Sequence, residues 1–297
     1  MARFGEVMTA MVTPFTDDGR LDVAGAADLA RWLVDQGNEG LVLAGTTGES
    51  PTLTDDEKVA LWTAVRAAVE VPLIAGSTAY DTDHSVQLTQ RATETGVDGI
   101  LAVTPPYNRP SQAGIEAHFC AIAAATHLPV MLYDIPVRTG RKIELATMLR
   151  LAGEVGNIVG VKDAAGQPDK TAHLVALAPA GFEVYAGDDS MTLPLLAVGA
   201  VGTIGVATHW LAGLHRQMFS ALDRGDLRLA REINARMLPS FAFETSDEAP
   251  NPVPAKAMMR ILGQPAGRCR LPMGPEPDGL ADRARAIAAD LDLAVAV

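Results

Sequence analysis

A lysine closes one of the apolar runs of this chain. In Ile158-Val159-Gly160-Val161-Lys162-Asp163, strand alternation puts Ile158, Gly160 and Lys162 on one side and Val159 and Val161 on the other. With the valines turned to a covering layer, Lys162 faces the interior, where an unpaired ammonium costs several kcal/mol. Desolvation lowers the pKa of such an amine from about 10.4, by up to about 3–5 at full burial, and a neutral amine adds to a ketone to give a Schiff base. Gly160 would leave room for it; the competing reading is a lysine paired with Asp163 or with a carboxylate on the next strand. Tyr133 ends another run and shares a face with Met131, while Leu132 and Asp134 take the other. A phenol there can relay protons between an amine and a substrate, or it can simply rest its hydroxyl on a backbone carbonyl. Arg138 carries a planar fork suited to a carboxylate, and is otherwise a solvated loop arginine. Gly45-Thr46-Thr47-Gly48 offers hydroxyls and N–H groups at a turn where glycine permits close approach, a small cradle for a carboxylate, although Gly/Thr turns are common.

Other chemistries lack their residues. The six histidines contain no His-Glu-x-x-His arrangement, and His209 and His215 are not spaced to share one helical face, so no metal site is expected. Asp188 and Asp189 are adjacent and on a strand would face opposite ways, which disfavours a paired-carboxylate mechanism. No phosphate-binding Gly-Lys-Ser/Thr and no dinucleotide fingerprint occurs, and Ser50 in Gly48-Glu49-Ser50-Pro51 is no nucleophile elbow. Two cysteines, Cys120 and Cys269, make no disulfide framework and read as free thiols of a reducing cytoplasm.

The elements that must position these residues are short β-rich runs: 7–13, 40–45, 71–77, 99–105, 129–136, 158–164, 183–189 and 201–207. Several are continuous rather than alternating, as in parallel strands covered on the outside. Between them lie helical patterns, among them Val23, Ala26, Ala27, Ala30, Leu33 and Val34 on one face, and a capping box Thr54…Glu57 opening the next helix. Strand and helix alternating in this way predict an α/β chain, a (β/α)8 TIM barrel, with a doubly wound open sheet as the alternative; the seventh crossover looks short. In such a barrel chemistry sits at the carboxyl ends of strands, where Thr46, Tyr107, Tyr133, Lys162 and Asp188 all fall. Helical patterns near 210–222, 227–237, 254–262 and 280–295 follow, so the expected division is a catalytic barrel over 1–224 and a C-terminal helical extension over 225–297. A formal net charge of −12 with no long basic run excludes a nucleic-acid binder, and no window of 18 apolar residues predicts a membrane span. The first seven residues lack the apolar core of a signal peptide, so a cytoplasmic protein is expected.

Taken together, Gly45-Thr46-Thr47-Gly48-Glu49-Ser50, Tyr107-Asn108-Arg109-Pro110, the Tyr-x-x-Pro-x-Arg-Thr-Gly stretch from Tyr133, Val161-Lys162-Asp163 and Asn251-Pro252-Val253-Pro254-Ala255-Lys256 resemble the dihydrodipicolinate synthase / N-acetylneuraminate lyase family of Schiff-base aldolases. The resemblance runs from Thr13-Pro14-Phe15 to Leu271-Pro272-Met273 and leans to the synthase branch. It implies that Lys162 condenses with pyruvate without any cofactor, that Thr46, Thr47 and the backbone around Ile204 hold the pyruvate carboxylate, and that Tyr133 shuttles protons through Thr46 and Tyr107. The second substrate it implies is aspartate 4-semialdehyde, its carboxylate met by Arg138, and the product 4-hydroxy-tetrahydrodipicolinate; the alternatives are a relative acting on a 2-keto-3-deoxy sugar acid, or a barrel that binds a keto acid without turnover. It further implies a homo-oligomer, a tetramer built as a dimer of dimers, with Tyr107 crossing from a neighbouring subunit. Two departures stand out. Asp134 replaces a more usual Asn and is expected to face away from the pocket. Asp55, Lys58, Tyr80, His84 and Pro106 occupy the positions of a lysine effector site, where Lys58 would repel an ammonium and Pro106 lacks an aromatic face, so weak or absent lysine feedback is expected.

Overall fold

The computed structural model of the protein describes residues 2–295. Eight strands, β1 (Val7–Ala10), β2 (Gly40–Leu43), β3 (Leu73–Gly76), β4 (Gly99–Val103), β5 (Val130–Asp134), β6 (Ile158–Asp163), β7 (Glu183–Ala186) and β8 (Gly202–Gly205), pair in parallel and in sequence order, and β8 returns to β1 to close a barrel. Closure rules out the open-sheet alternative. Nearly every strand residue is buried, because the interior packs one face and a ring of helices packs the other, which is why the runs are continuous rather than alternating. The interior layer includes Met8, Ile74, Met131, Tyr133, Tyr185 and Ile204; the larger outer layer lies between strands and helices and holds Leu41, Leu132 and Val161 among others.

Strict alternation fails at one place, and it matters for the site. Val130 pairs with Ile158 but Met131 pairs with Gly160, so Val159 is an extra residue on β6. Ile158 therefore joins Val161 in the outer layer, whereas Val159 packs on the interior cluster. The expected grouping of Ile158 with Lys162 is corrected accordingly. Above the bulge the pairing is regular, and Tyr133 and Lys162 stand side by side as register partners.

The short seventh crossover is a 3-10 turn, Asp189–Met191, running into a helix, Thr192–Ala197. The capping box is complete: the Thr54 hydroxyl accepts from the Glu57 N–H and the Glu57 carboxylate accepts from the Thr54 N–H. After β8 come helices Thr208–Asp223, Leu227–Phe243, Val253–Ile261 and Leu280–Asp290. The second runs six residues past its expected end, straight through Pro239, and the last stops five short of Val295. Residues 1, 296 and 297 of the expected division lie outside the described residues. Among the described residues no helix is long and apolar enough to cross a membrane.

Candidate active site

Lys162 sits near the carboxyl end of β6, only 4% exposed. Among the described residues it forms no ion pair, which removes the competing structural reading: Asp163 instead accepts from the Thr171 hydroxyl at 2.6 Å and the Ala165 N–H at 3.0 Å. Burial pushes the amine down to about 8, against the opposing charges of Asp189, Glu244 and Asp188. Its Nζ lies 4.7 Å from the centre of the Tyr133 ring. Room for the side chain comes from Gly187, just past β7, where a Cβ would stand 2.8 Å from Lys162 Cγ and 3.0 Å from Cε. Gly160 serves a different end, since its Cβ would meet the Glu183 carbonyl oxygen at 2.4 Å, so it lets β6 and β7 close together.

Tyr133 is buried at the equivalent end of β5, where burial pushes the phenol up to about 12 against the Arg138 charge and a hydrogen bond shared with Thr46. The phenol therefore keeps its proton while Lys162 gives its own up, as a relay requires. Asp134, next in the strand, faces outward as expected: its carboxylate lies 2.7 Å from Lys142 Nζ and accepts from the Ile143 N–H at 3.1 Å. The segment above β5 is not an open loop but a single helical turn, Pro136–Thr139, begun by Pro136 and ended by Gly140 at φ 72°. Arg138 stands exposed on that turn, and its guanidinium donates to the Asn251 carbonyl oxygen at 3.4 Å.

The Gly-Thr-Thr-Gly turn follows β2 and is bounded by two non-glycine residues in the left-handed region, Ala44 (φ 52°) and Glu49 (φ 55°). Three contacts from the C-terminal extension hold it. Asn251 donates through Nδ2 to the Thr47 hydroxyl at 3.0 Å. Glu49 Oε1 meets Lys256 Nζ at 2.6 Å in an ion pair with no solvent exposure to speak of, and its other oxygen accepts from the Arg270 N–H at 2.9 Å. Thr46, Tyr133 and Arg138 face one cavity of about 460 Å³. The same cavity reaches Asp55, Lys58, Tyr80, His84 and Pro106, with His84 Nε2 on Asp55 Oδ2 at 2.8 Å and Lys58 buried so that its amine is held below the usual ammonium range.

The fold thus brings together Lys162, Tyr133, Thr46 and Arg138, with Thr47 behind the turn and Ile204 fully buried in the interior layer beside Tyr133. It does not bring Tyr107 in: that residue is 93% exposed, at φ 70°, and does not line the cavity of its own barrel. Asp188 and Asp189 do part ways, Asp188 accepting from Ser190, while Asp189 finds a neighbour outside the strand, in Glu244 at the end of helix Leu227–Phe243. Glu244 escaped the sequence reading altogether, while Gly187 and Asn251 stood in stretches it quoted without being given a role in the site. Among the described residues no cluster of three or more His, Cys, Asp or Glu is arranged to hold a metal.

Comparison with known proteins places the chain in a family. Residues 3–290 match the Dihydrodipicolinate synthetase family. The chain is 50% identical to a 4-hydroxy-tetrahydrodipicolinate synthase of Moorella thermoacetica over 91% of its own length and 92% of that protein's. It superposes on a dihydrodipicolinate synthase of Bacillus anthracis with a TM-score of 0.93 at 40% identity, covering 97% and 99% of the two chains. It superposes on the synthase of Cyanidioschyzon merolae with lysine bound with a TM-score of 0.94 at 38% identity, covering 98% and 99%. The chain belongs to the dihydrodipicolinate synthetase family.

Proposed function

We propose that this chain is a lyase of the Schiff-base aldolase type that condenses pyruvate with aspartate 4-semialdehyde to give 4-hydroxy-tetrahydrodipicolinate. The observation that carries the reading is a buried lysine without an ion pair, its amine pushed down to about 8, set against a protonated phenol beside a cavity that ends in an arginine. The neutral Lys162 amine attacks the keto carbon of pyruvate. Tyr133, bonded to Thr46, protonates the departing oxygen, water leaves, and an iminium remains. The Gly45–Gly48 turn and the backbone at Ile204 take the pyruvate carboxylate. Loss of a methyl proton gives an enamine, whose carbon attacks the aldehyde. The substrate's own amine then closes the ring on the former keto carbon and expels Lys162, so no cofactor enters the balance.

Arg138 favours an aldehyde that carries a carboxylate, since its guanidinium lines the cavity and, among the described residues, has one weak bond, to a backbone carbonyl. Assembly belongs to the same proposal. Tyr80, Tyr107 and Val137 are large side chains left 62%, 93% and 86% exposed around the barrel mouth. A neighbouring subunit would cover them and exchange Tyr107, in a cytoplasmic tetramer made of two dimers, with the barrel over 1–224 and the extension over 225–297 supplying the contacts to Thr47 and Glu49. At the Asp55–Lys58–His84 end of the cavity the buried Lys58 disfavours an ammonium ligand, so millimolar lysine should inhibit weakly or not at all in initial-rate assays.

The deciding test is a steady-state assay with pyruvate and aspartate 4-semialdehyde beside a panel of 2-keto-3-deoxy sugar acids. Turnover with the semialdehyde, lost in Arg138→Ala, is the expected result. Preference for a sugar acid would overturn the substrate assignment while leaving the Schiff-base chemistry standing.

A further inference from the structure

Behind Lys162 lie two carboxyl groups that the reaction above does not use. Asp189 opens the 3-10 turn after β7 and is 1% exposed; Glu244 caps the end of helix Leu227–Phe243 and is also buried. They are held on successive amides at the exit of β8: Asp189 Oδ2 accepts from the Val206 N–H at 2.6 Å, and Glu244 Oε2 accepts from the Ala207 N–H at 3.1 Å. Gly205 makes the approach possible, since a Cβ there would lie 2.4 Å from Asp189 Oδ1. That same oxygen is buried and receives no N–H or O–H donor, while the Glu244 side chain lies within hydrogen-bond reach of Asp189. Two carboxylates can only accept, so two of them facing each other in a dry site must share a proton.

Among the described residues neither carboxyl forms an ion pair with Lys or Arg. The His209 Nε2 accepts from the Val12 N–H at 3.1 Å and its Nδ1 lies 2.7 Å from the Val206 carbonyl oxygen, which fixes a neutral ring. His215 rests Nδ1 on the Leu211 carbonyl oxygen at 3.1 Å with Nε2 unpartnered, and burial keeps it neutral too. Asp188 is turned to Ser190, accepting from its N–H at 2.9 Å and its hydroxyl at 2.7 Å. The basic groups that face this pocket are His215, whose charged form would act on Asp189 more strongly than any other cation, Lys162 itself and, from the mouth, Arg138.

We infer that Asp189 and Glu244 form a carboxylic acid–carboxylate pair that holds one proton between them and offers a single negative charge as the buried counter-ion of the Lys162 iminium. The inference rests on the Schiff-base reading of Lys162. In the condensation, amine plus ketone plus one proton gives iminium plus water, so a neutral nitrogen becomes a cation in a site with little water. A pair carrying one charge neutralises that cation. A fully ionised pair would keep the lysine protonated, and a fully protonated one would leave the iminium bare. Glu244 acts through Asp189 and is a positioning residue.

The test is borohydride trapping of the pyruvate adduct, followed by intact mass against pH, in the wild-type chain, Glu244→Gln and the Asp189→Asn/Glu244→Gln double variant. The amide introduced by Glu244→Gln can still accept from the Ala207 N–H and can donate to Asp189, so the charge stays but no longer spreads over both groups. Its trapped yield should fall by about threefold without the midpoint moving to lower pH. The double variant carries no charge, so its yield should fall by about tenfold or more and its midpoint should move down by about one pH unit. A double variant that traps like the wild type, or a Glu244→Gln variant that already shows the whole loss, overturns the pair. Absence of any adduct in the wild type overturns the Lys162 reading, and the pair with it. Difference infrared spectra of the wild-type enzyme give a check that does not depend on the variants folding: a protonated carboxyl band at pH 8 that shifts when pyruvate binds supports the pair, and its absence contradicts it.

Discussion

Two lysines of this chain are buried to nearly the same degree and do opposite work. Lys256 is 0% exposed and Lys162 is 4% exposed. Lys256 Nζ has Glu49 Oε1 at 2.6 Å, donates to the Arg268 carbonyl oxygen at 3.2 Å and lies 4.0 Å from the Phe15 ring centre. A carboxylate, a carbonyl and a ring face together replace the water it lost, so the ammonium is the useful form: it fastens the C-terminal extension to the left-handed Glu49 that closes the carboxylate cradle. Lys162 has a ring face at 4.7 Å and carboxyl groups near it but none in salt-bridge contact. Burial lowers both amines, and only at Lys256 does a direct ion pair offset it. Burial alone does not make a nucleophile; at Lys162 the counter-charge is held back and a protonated phenol stands beside the amine.

The comparison can be broken from either side. The largest effect is expected at Lys162→Ala, where turnover should drop by on the order of 10⁴-fold or more while the thermal midpoint moves little, measured by the coupled assay and by calorimetry. Next comes Lys256→Met, which strands the Glu49 carboxylate in a dry site. It should cost about 3–5 kcal/mol in urea titration, and the Lys256→Met/Glu49→Gln double variant should recover a large part of that. If Lys256→Met proves neutral in stability, the pair is not the fastening described here. Asn251→Ala removes the donor to Thr47 without touching either lysine, and should raise KM for pyruvate by about 2–10-fold with kcat nearly intact. The pH dependence tests the same lysine without any substitution. The neutral amine attacks, so kcat/KM for pyruvate should rise tenfold per pH unit below about 8 and level off above it. A plateau extending down to pH 6 would mean that Lys162 is not the group that must lose a proton.

Much of the fold and of the site is legible in the residues alone. The strand runs are continuous because both faces are covered, and all eight appear within a few residues of their expected bounds, trimmed mainly at the carboxyl ends where the chain turns into the site. Period-two reading also puts Lys162 and Tyr133 on the interior face, since β5 and β6 are regular above Met131 and Gly160. What escapes it is non-local. Val159 looks like any strand valine, and its extra count arises only from pairing with β5. The room expected at Gly160 is supplied by Gly187 instead, because a glycine's use depends on what approaches it from the next strand. Asp189 reads as half of an adjacent pair, yet its partner Glu244 is 55 residues away on another element. Glu49 and Lys256 have nothing in their local sequence that joins them across the fold.

One measurement weighs the central claim directly: reduce the enzyme with borohydride in the presence of pyruvate, digest it, and map the modified residue by mass spectrometry. A single reduced pyruvyl group is predicted on Lys162, with Lys256 and Lys58 unmodified. An adduct on either of those two, or none on Lys162, would contradict it.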